Sequence, residues 1–236
     1  MFTFEIELCA VVDWSAIVLS VRLATATTLI LLAVGLPLAG WLALSHRRGR
    51  WAVDALVALP LVLPPTVLGF YVLVALGPRS PIGRAYEAIT GNPIVFSFQG
   101  LLVASVLYSL PFAVQPFAAA FAAVDRNLIE TAWCLGASRL RTFARIVVPL
   151  ARPGIVAGAV LTFAHTVGEF GVVLMVGGNL PGSTRTVSIS IYDDVQAFNY
   201  ARAGRTAALL LAFSFVVLAM TYRLQRRSAR AWPLAS

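Results

Sequence analysis

ETAWCLGASRLRTFARIVVP, residues 130–149, interrupts an otherwise apolar chain with a polar segment. It carries Arg139, Arg141 and Arg145 and no long apolar run, yet dense hydrophobic segments flank it on both sides. Local rules predict a helix-turn-helix here. Asp125 stands where an N-cap would start a first helix running to Leu135, and Gly136 can turn left-handed at its end. Ser138 can cap a second helix bearing Arg139, Arg141, Thr142, Arg145 and Ile146, until Pro149, whose ring and missing amide restrict what precedes it. The product is a compact polar elbow with Trp133, Leu135 and Leu140 at its bend.

The rest of the chain is membrane-like. Of its 236 residues 59% are hydrophobic and 12% charged, where a soluble domain carries about 25% charged residues. About 20 apolar residues cross a bilayer as helix, and five runs qualify: 17–44, 52–76, 94–124, 153–176 and a shorter 206–222. The expected fold is an all-α integral membrane protein, a single domain over 1–236, with five transmembrane helices and the elbow, 125–152, between spans three and four. The first span starts too late, runs too long and follows acidic rather than basic residues, so it is expected to be retained rather than cleaved.

The net charge of +8 comes from arginine alone, since no lysine occurs. Alternate assignment of the loops puts twelve arginines on one side: Arg47, Arg48, Arg50, Arg126, Arg139, Arg141, Arg145, Arg152, Arg223, Arg226, Arg227 and Arg230. The other side has Arg79, Arg84, Arg185, Arg202 and Arg205, with Glu5, Glu7 and Asp13 at the amino terminus. This is the distribution of a positive-inside membrane protein rather than of a nucleic-acid binder. It places the amino terminus outside, the carboxyl terminus and elbow in the cytoplasm, Cys9 outside and Cys134 inside. Those two cysteines then form no disulfide, and no metal-ligand spacing accompanies them.

Glu130, Ala132, Gly136, Ile146 and Pro149 have the spacing of EAA, three residues, G, nine residues, I, one residue, L, P. That pattern resembles the EAA loop of ABC importer permeases, with Thr131 in place of the second-position alanine and Val148 in place of leucine. LPLVLPPTVLGFYVLVALG at 59–77, GEFG at 168–171 and GGNLPGSTRT at 177–186 are similar to the molybdate-type ABC permeases, and the likeness runs from about Ser15 to near the end. Tungstate and sulfate permeases share much of the pattern.

The resemblance implies the type I ABC importer permease fold in a bacterial inner membrane. It makes the elbow, through Glu130, Thr131, Ala132, Gly136, Ala137, Ile146 and Pro149, a coupling helix that a cytoplasmic ATPase dimer holds. It also implies a second copy of this chain and an extracytoplasmic oxyanion-binding protein. ATP and Mg would belong to the ATPase; the chain itself would bind no cofactor and catalyse nothing. The rival from another class is a passive channel or a membrane assembly subunit, neither of which needs an ATPase handle.

Candidate pathway residues cluster in spans two and four. Pro60, Pro64 and Pro65 interrupt span two beside Thr66 and Gly69, which reads either as a simple kink or as backbone opened towards a cavity. Glu169 is an acidic residue well inside an apolar span, and such carboxylates usually face the bundle interior. A bare carboxylate would repel an oxyanion, so Glu169 is expected to pair with His165, four residues earlier on the same helix face. His165 reads equally as a packing residue or as part of a gate with Gly168, Phe170 and Gly171. Arg22 either snorkels outward or gives the outer vestibule a positive field. Arg185, in an outer loop with Asn179, Thr184 and Thr186, is either a solvated charge or a docking contact. Gly154 and Gly158 have the spacing that lets helices approach closely, and Trp14, Trp41, Trp51 and Tyr222 fit an interfacial aromatic belt.

Overall fold

The computed structural model describes residues 12–45 and 48–230, with 224–230 as backbone helix only. Cys9, Glu5, Glu7 and Arg47, and the side chains of Arg226, Arg227 and Arg230, therefore lie outside what is described. Among the described residues every regular element is helical: α1 (Trp14–Leu44), α2 (Arg50–Val62), α3 (Pro65–Leu76), α4 (Pro81–Thr90), α5 (Phe98–Ala122), α6 (Arg126–Cys134), α7 (Arg139–Leu150), α8 (Arg152–Gly168), α9 (Gly171–Gly177), α10 (Val187–Gln196) and α11 (Tyr200–Arg230).

Among the described residues three helices are long and apolar enough to cross a membrane: α1, α5 and Tyr200–Arg223 of α11. The last begins well before the expected 206. The second expected span, 52–76, is not one rod: α2 and α3 meet at 111°. Neither Pro64 nor Pro65 has an amide to donate, so the helical ladder stops at Val62 and restarts with Pro65 in the first turn of α3. The fourth, 153–176, is also divided. α8 ends at Gly168, Glu169 takes an extended backbone (φ −69°, ψ 140°), and α9 is a separate short helix.

The centre of the bundle is α5, packed on α1 and on α8. Phe117 and Phe121 of α5 and Leu31, Ala39 and Leu42 of α1 are fully buried in one apolar cluster with Val147 of α7. Close approach of α8 depends on its two small residues: a Cβ on Gly154 would stand 2.4 Å from the Cβ of Ala120, and one on Gly158 2.6 Å from the Phe117 ring. The four-residue glycine spacing is thus the groove into which α5 settles.

At the start of α1 the Asp13 carboxylate accepts from the Ala16 amide at 3.1 Å and from the Ser15 hydroxyl at 2.6 Å. Ser20 of α1 ties the far end of the chain to the same region, accepting from the Val187 amide at 2.8 Å and so capping α10 across the fold.

Candidate functional site

The elbow forms by the local interactions its sequence specifies. Asp125 accepts from the Asn127 amide at 2.9 Å, and Gly136 has φ +83° with nothing within 4 Å of where a Cβ would sit. The Gly136 and Ala137 amides donate to the carbonyls of Trp133 and Ala132, both at 2.9 Å, closing the turn. Ser138 Oγ then accepts from the Arg141 amide at 3.3 Å. α7 does not stop at Pro149. A π-helical turn over Phe143–Val147, with the Val148 amide reaching back to the Phe143 carbonyl, widens the helix, and Pro149 falls in the first turn of the next segment, where no amide is needed. The chain bends by 75° only after Leu150.

Glu130 and Thr131 are exposed on the elbow, Ala132 is buried beneath them, and Ala137, Ile146 and Pro149 are half-buried. Leu135 and Leu140 stand out at the bend, 83% and 77% exposed. Behind the elbow lies a cavity of about 640 Å³ between it and the end of α1, lined by Trp41, Arg126, Glu130, Trp133 and Arg139 among others. Phe143 reaches from α7 to Gly40 of α1, where a Cβ would stand 2.6 Å from the ring.

A second cavity, of about 460 Å³, gathers Pro65, Thr66, His165, Gly168, Glu169, Phe170 and Gly171, and adds Tyr108 and Met175. Residues from α3, α5, α8 and α9 thus converge; Pro64 sets the bend behind them. The expected pairing of Glu169 with His165 does not occur. The helix ends one residue before Glu169, so the i, i+4 relation is lost, and the His165 ring stacks on Phe112 instead, centroids 3.7 Å apart, with Tyr108 at 5.0 Å. Glu169 is 5% exposed. Its carboxylate faces the amides of Val173 and Val172 at the start of α9 and the Ser105 hydroxyl of α5.

The outer-loop residues bond one another. Arg185 Nε donates to Asn179 Oδ1 at 2.6 Å, Asn179 Nδ2 donates to Asp193 at 2.6 Å, and Arg185 pairs with Asp193 at 3.4 Å. Thr184 is buried and donates to the Gly177 carbonyl at 2.6 Å; Thr186 is buried at the start of α10. Arg22 lies over the Phe98 ring, 4.7 Å from its centroid. Sequence reasoning missed Ser105, Ser109, Thr162 and Thr166, whose signal was available: two hydroxyl pairs, each four residues apart, in otherwise apolar segments.

The model of the family described as the binding-protein-dependent transport system inner membrane component matches residues 35–230. The chain belongs to that family. This inner membrane component is 52% identical over 217 residues, 92% of its own length and 96% of the other's, to the molybdenum transport system permease protein ModB of Azotobacter vinelandii. It is 36% identical to the protein of the same name from Escherichia coli K12, over 88% of this chain and 89% of that one. It is 33% identical to a probable sulfate transport system permease protein of Prototheca wickerhamii, over 72% of this chain and 67% of that one. Its fold is shared with a chain of a bacterial alginate ABC transporter (TM-score 0.74, 19% identity, 90% of this chain and 78% of that one) and of the MetNI methionine ABC transporter (TM-score 0.71, 17% identity, 90% and 94%). It is a multi-pass membrane protein whose relatives are transport permease subunits.

Proposed function

We propose that this chain is the membrane-spanning subunit of an ATP-driven importer of molybdate. The observation that carries the reading is the 52% identity, over nearly the full length of both chains, to a molybdenum transport permease. In this reading two copies form the permease, each crossing the bilayer five times, with α2–α3 and α8–α9 as broken spans. The elbow is a cytoplasmic coupling helix, supported by its polar surface and by the two exposed leucines at its bend. A cytoplasmic ATPase dimer, which holds ATP and Mg, grips it; this chain hydrolyses nothing. An oxyanion-binding protein delivers the ion from outside, where the amino terminus lies, an orientation supported by the twelve arginines on the opposite side.

The cavity at the α8–α9 break is the segment of the path that this chain lines. Thr66 and Tyr108 can donate hydrogen bonds there, and the side chains around it form no cationic cage. That suits transit, since a site that held the ion tightly would not release it. Closure of the ATPase draws the two elbows together and opens the bundle outward; hydrolysis returns it inward.

The test is uptake of labelled molybdate, tungstate and sulfate into proteoliposomes containing the complete complex and its binding protein. ATP-dependent uptake with molybdate preferred is expected. Flux that continues without ATP or the ATPase, or a preference for a neutral or cationic solute, contradicts the reading.

A further inference from the structure

Phe143 of the elbow touches the bundle on two sides at once. It opens the π-helical turn Phe143–Val147, and the last residue of that turn, Val147, is fully buried in the apolar cluster against which Phe143 packs. The Phe143 ring covers Gly40 of α1 so closely that a Cβ there would stand 2.6 Å and 2.8 Å from two of its atoms. Its other neighbour is Phe121 of α5, fully buried, with ring centroids 5.2 Å apart and planes at 68°. A ring seated on bare backbone and an edge-to-face aromatic pair both depend on close position, because a gap of about 0.5–1 Å already forfeits a quarter to a half of a contact's attraction.

The two surfaces it touches share a feature. Gly40 lies just past Pro37 inside α1, and Phe121 lies just past Pro116 inside α5. An interior proline donates no amide to the helical ladder and its ring crowds the preceding turn, so a helix is most readily bent there. α1 ends at Leu44 and α5 at Ala122. What lies beyond each proline is therefore a short end segment, and both segments lean on one aromatic ring.

The π-turn belongs to the same arrangement. Such turns are found mostly as single interruptions of α-helices, frequently at functional sites. Here it lets α7 run on through Pro149, so that Leu140, exposed at the bend of the elbow, and Phe143, against the bundle, stand on one rod.

We propose that Phe143 is a positioning residue for the transport cycle: displacement of the elbow passes through its ring to the end segments of α1 and α5, which bend at Pro37 and Pro116. This deepens the transport reading and rests on the elbow being the part that the ATPase holds. Gly40 is the seat the ring requires, and Phe121 is the wall that keeps it there.

The experiment uses the complete complex in proteoliposomes, with molybdate uptake and ATP hydrolysis measured together so that their ratio, ions moved per ATP, is read for each variant. Phe143→Ala should lower that ratio about tenfold, within the range of one allosteric coupling, because hydrolysis continues without moving the helices. Gly40→Ala should lower it too, since the new methyl displaces the ring. Adding Phe143→Leu to Gly40→Ala frees room for that methyl and should recover most of the ratio, as coupled neighbours do. A residue that only packs would lower uptake and hydrolysis together, through loss of assembled complex, and leave the ratio unchanged. An unchanged ratio in Phe143→Ala or Gly40→Ala, or losses that multiply in the double variant, would each overturn the proposal. Where Phe143→Ala yields no assembled complex, Gly40→Ala and its double variant, which keep an apolar contact, carry the same test. The transport reading fails separately: a wild-type complex without ATP-driven molybdate uptake contradicts it, whereas normal wild-type uptake with unchanged ratios in the variants contradicts only the role of Phe143.

Discussion

The His165 imidazole lies nearly flat on the Phe112 ring, with centroids 3.7 Å apart and planes at 18°. Its Nε2 is buried and forms no hydrogen bond. The ring therefore acts through its surface, holding α8 to α5 next to the 2.9 Å hydrogen bond between Ser109 and Thr166. His165→Phe should keep the stack, leaving the thermal midpoint of the complex unchanged and uptake within about threefold of wild type. His165→Ala should lose the stack, worth about 0.5–1.5 kcal/mol beyond the buried area, and lower the midpoint. A large loss of uptake in His165→Phe with an unchanged midpoint would show instead that the imidazole nitrogens act on the ion.

At Gly136 the strain of any side chain is purely conformational, since a Cβ would meet nothing within 4 Å and only φ +83° opposes it. Gly136→Val should cost the elbow about 1–3 kcal/mol, reduce ATP-driven uptake and leave membrane insertion intact. Gly136→Asn, which tolerates the left-handed region better, should transport closer to wild type. Equal behaviour of Val and Asn would remove the turn from the coupling role.

Cys134 is free and exposed at the end of α6, so it reports on which side of the membrane the elbow lies. In a chain with Cys9 replaced by serine, an impermeant maleimide should leave Cys134 unlabelled in intact cells and label it in inverted vesicles. Labelling from outside would reverse the orientation.

Asp13 supplies a pH signature. Burial alone would raise its carboxyl, but the Ser15 hydroxyl, the Ala16 amide and the charges of Arg185 and Arg202 outweigh it and hold the group below its ordinary 3.8. A depressed carboxyl stabilises the fold above the unfolded pKa and loses that contribution as pH falls through the folded one. The gap in thermal midpoint between wild type and Asp13→Asn should thus stay constant from about pH 8 to about pH 5 and close only below about pH 4. A gap that closes near neutrality would mean that another group carries the effect.

What the residues determine by themselves is what depends on short range. The elbow is readable from Asp125, Gly136 and Ser138 because each satisfies or redirects backbone groups two to five residues away, and its spacing carries the family likeness. The break at Pro64 and Pro65 follows from two missing amides, and the membrane class from composition and charge. What Glu169 faces was not readable, because pairing with His165 presumed a helix that continued through Gly168. Where that helix ends was decided by packing: Gly171 seats against Pro65, and α9 seats against Gly69 of α3, segments about a hundred residues apart in sequence. The stack of His165 on Phe112 arises in the same way. A backbone bond to a near neighbour forms wherever the chain turns, whereas the neighbour of a buried side chain exists only once distant helices have come to rest against each other.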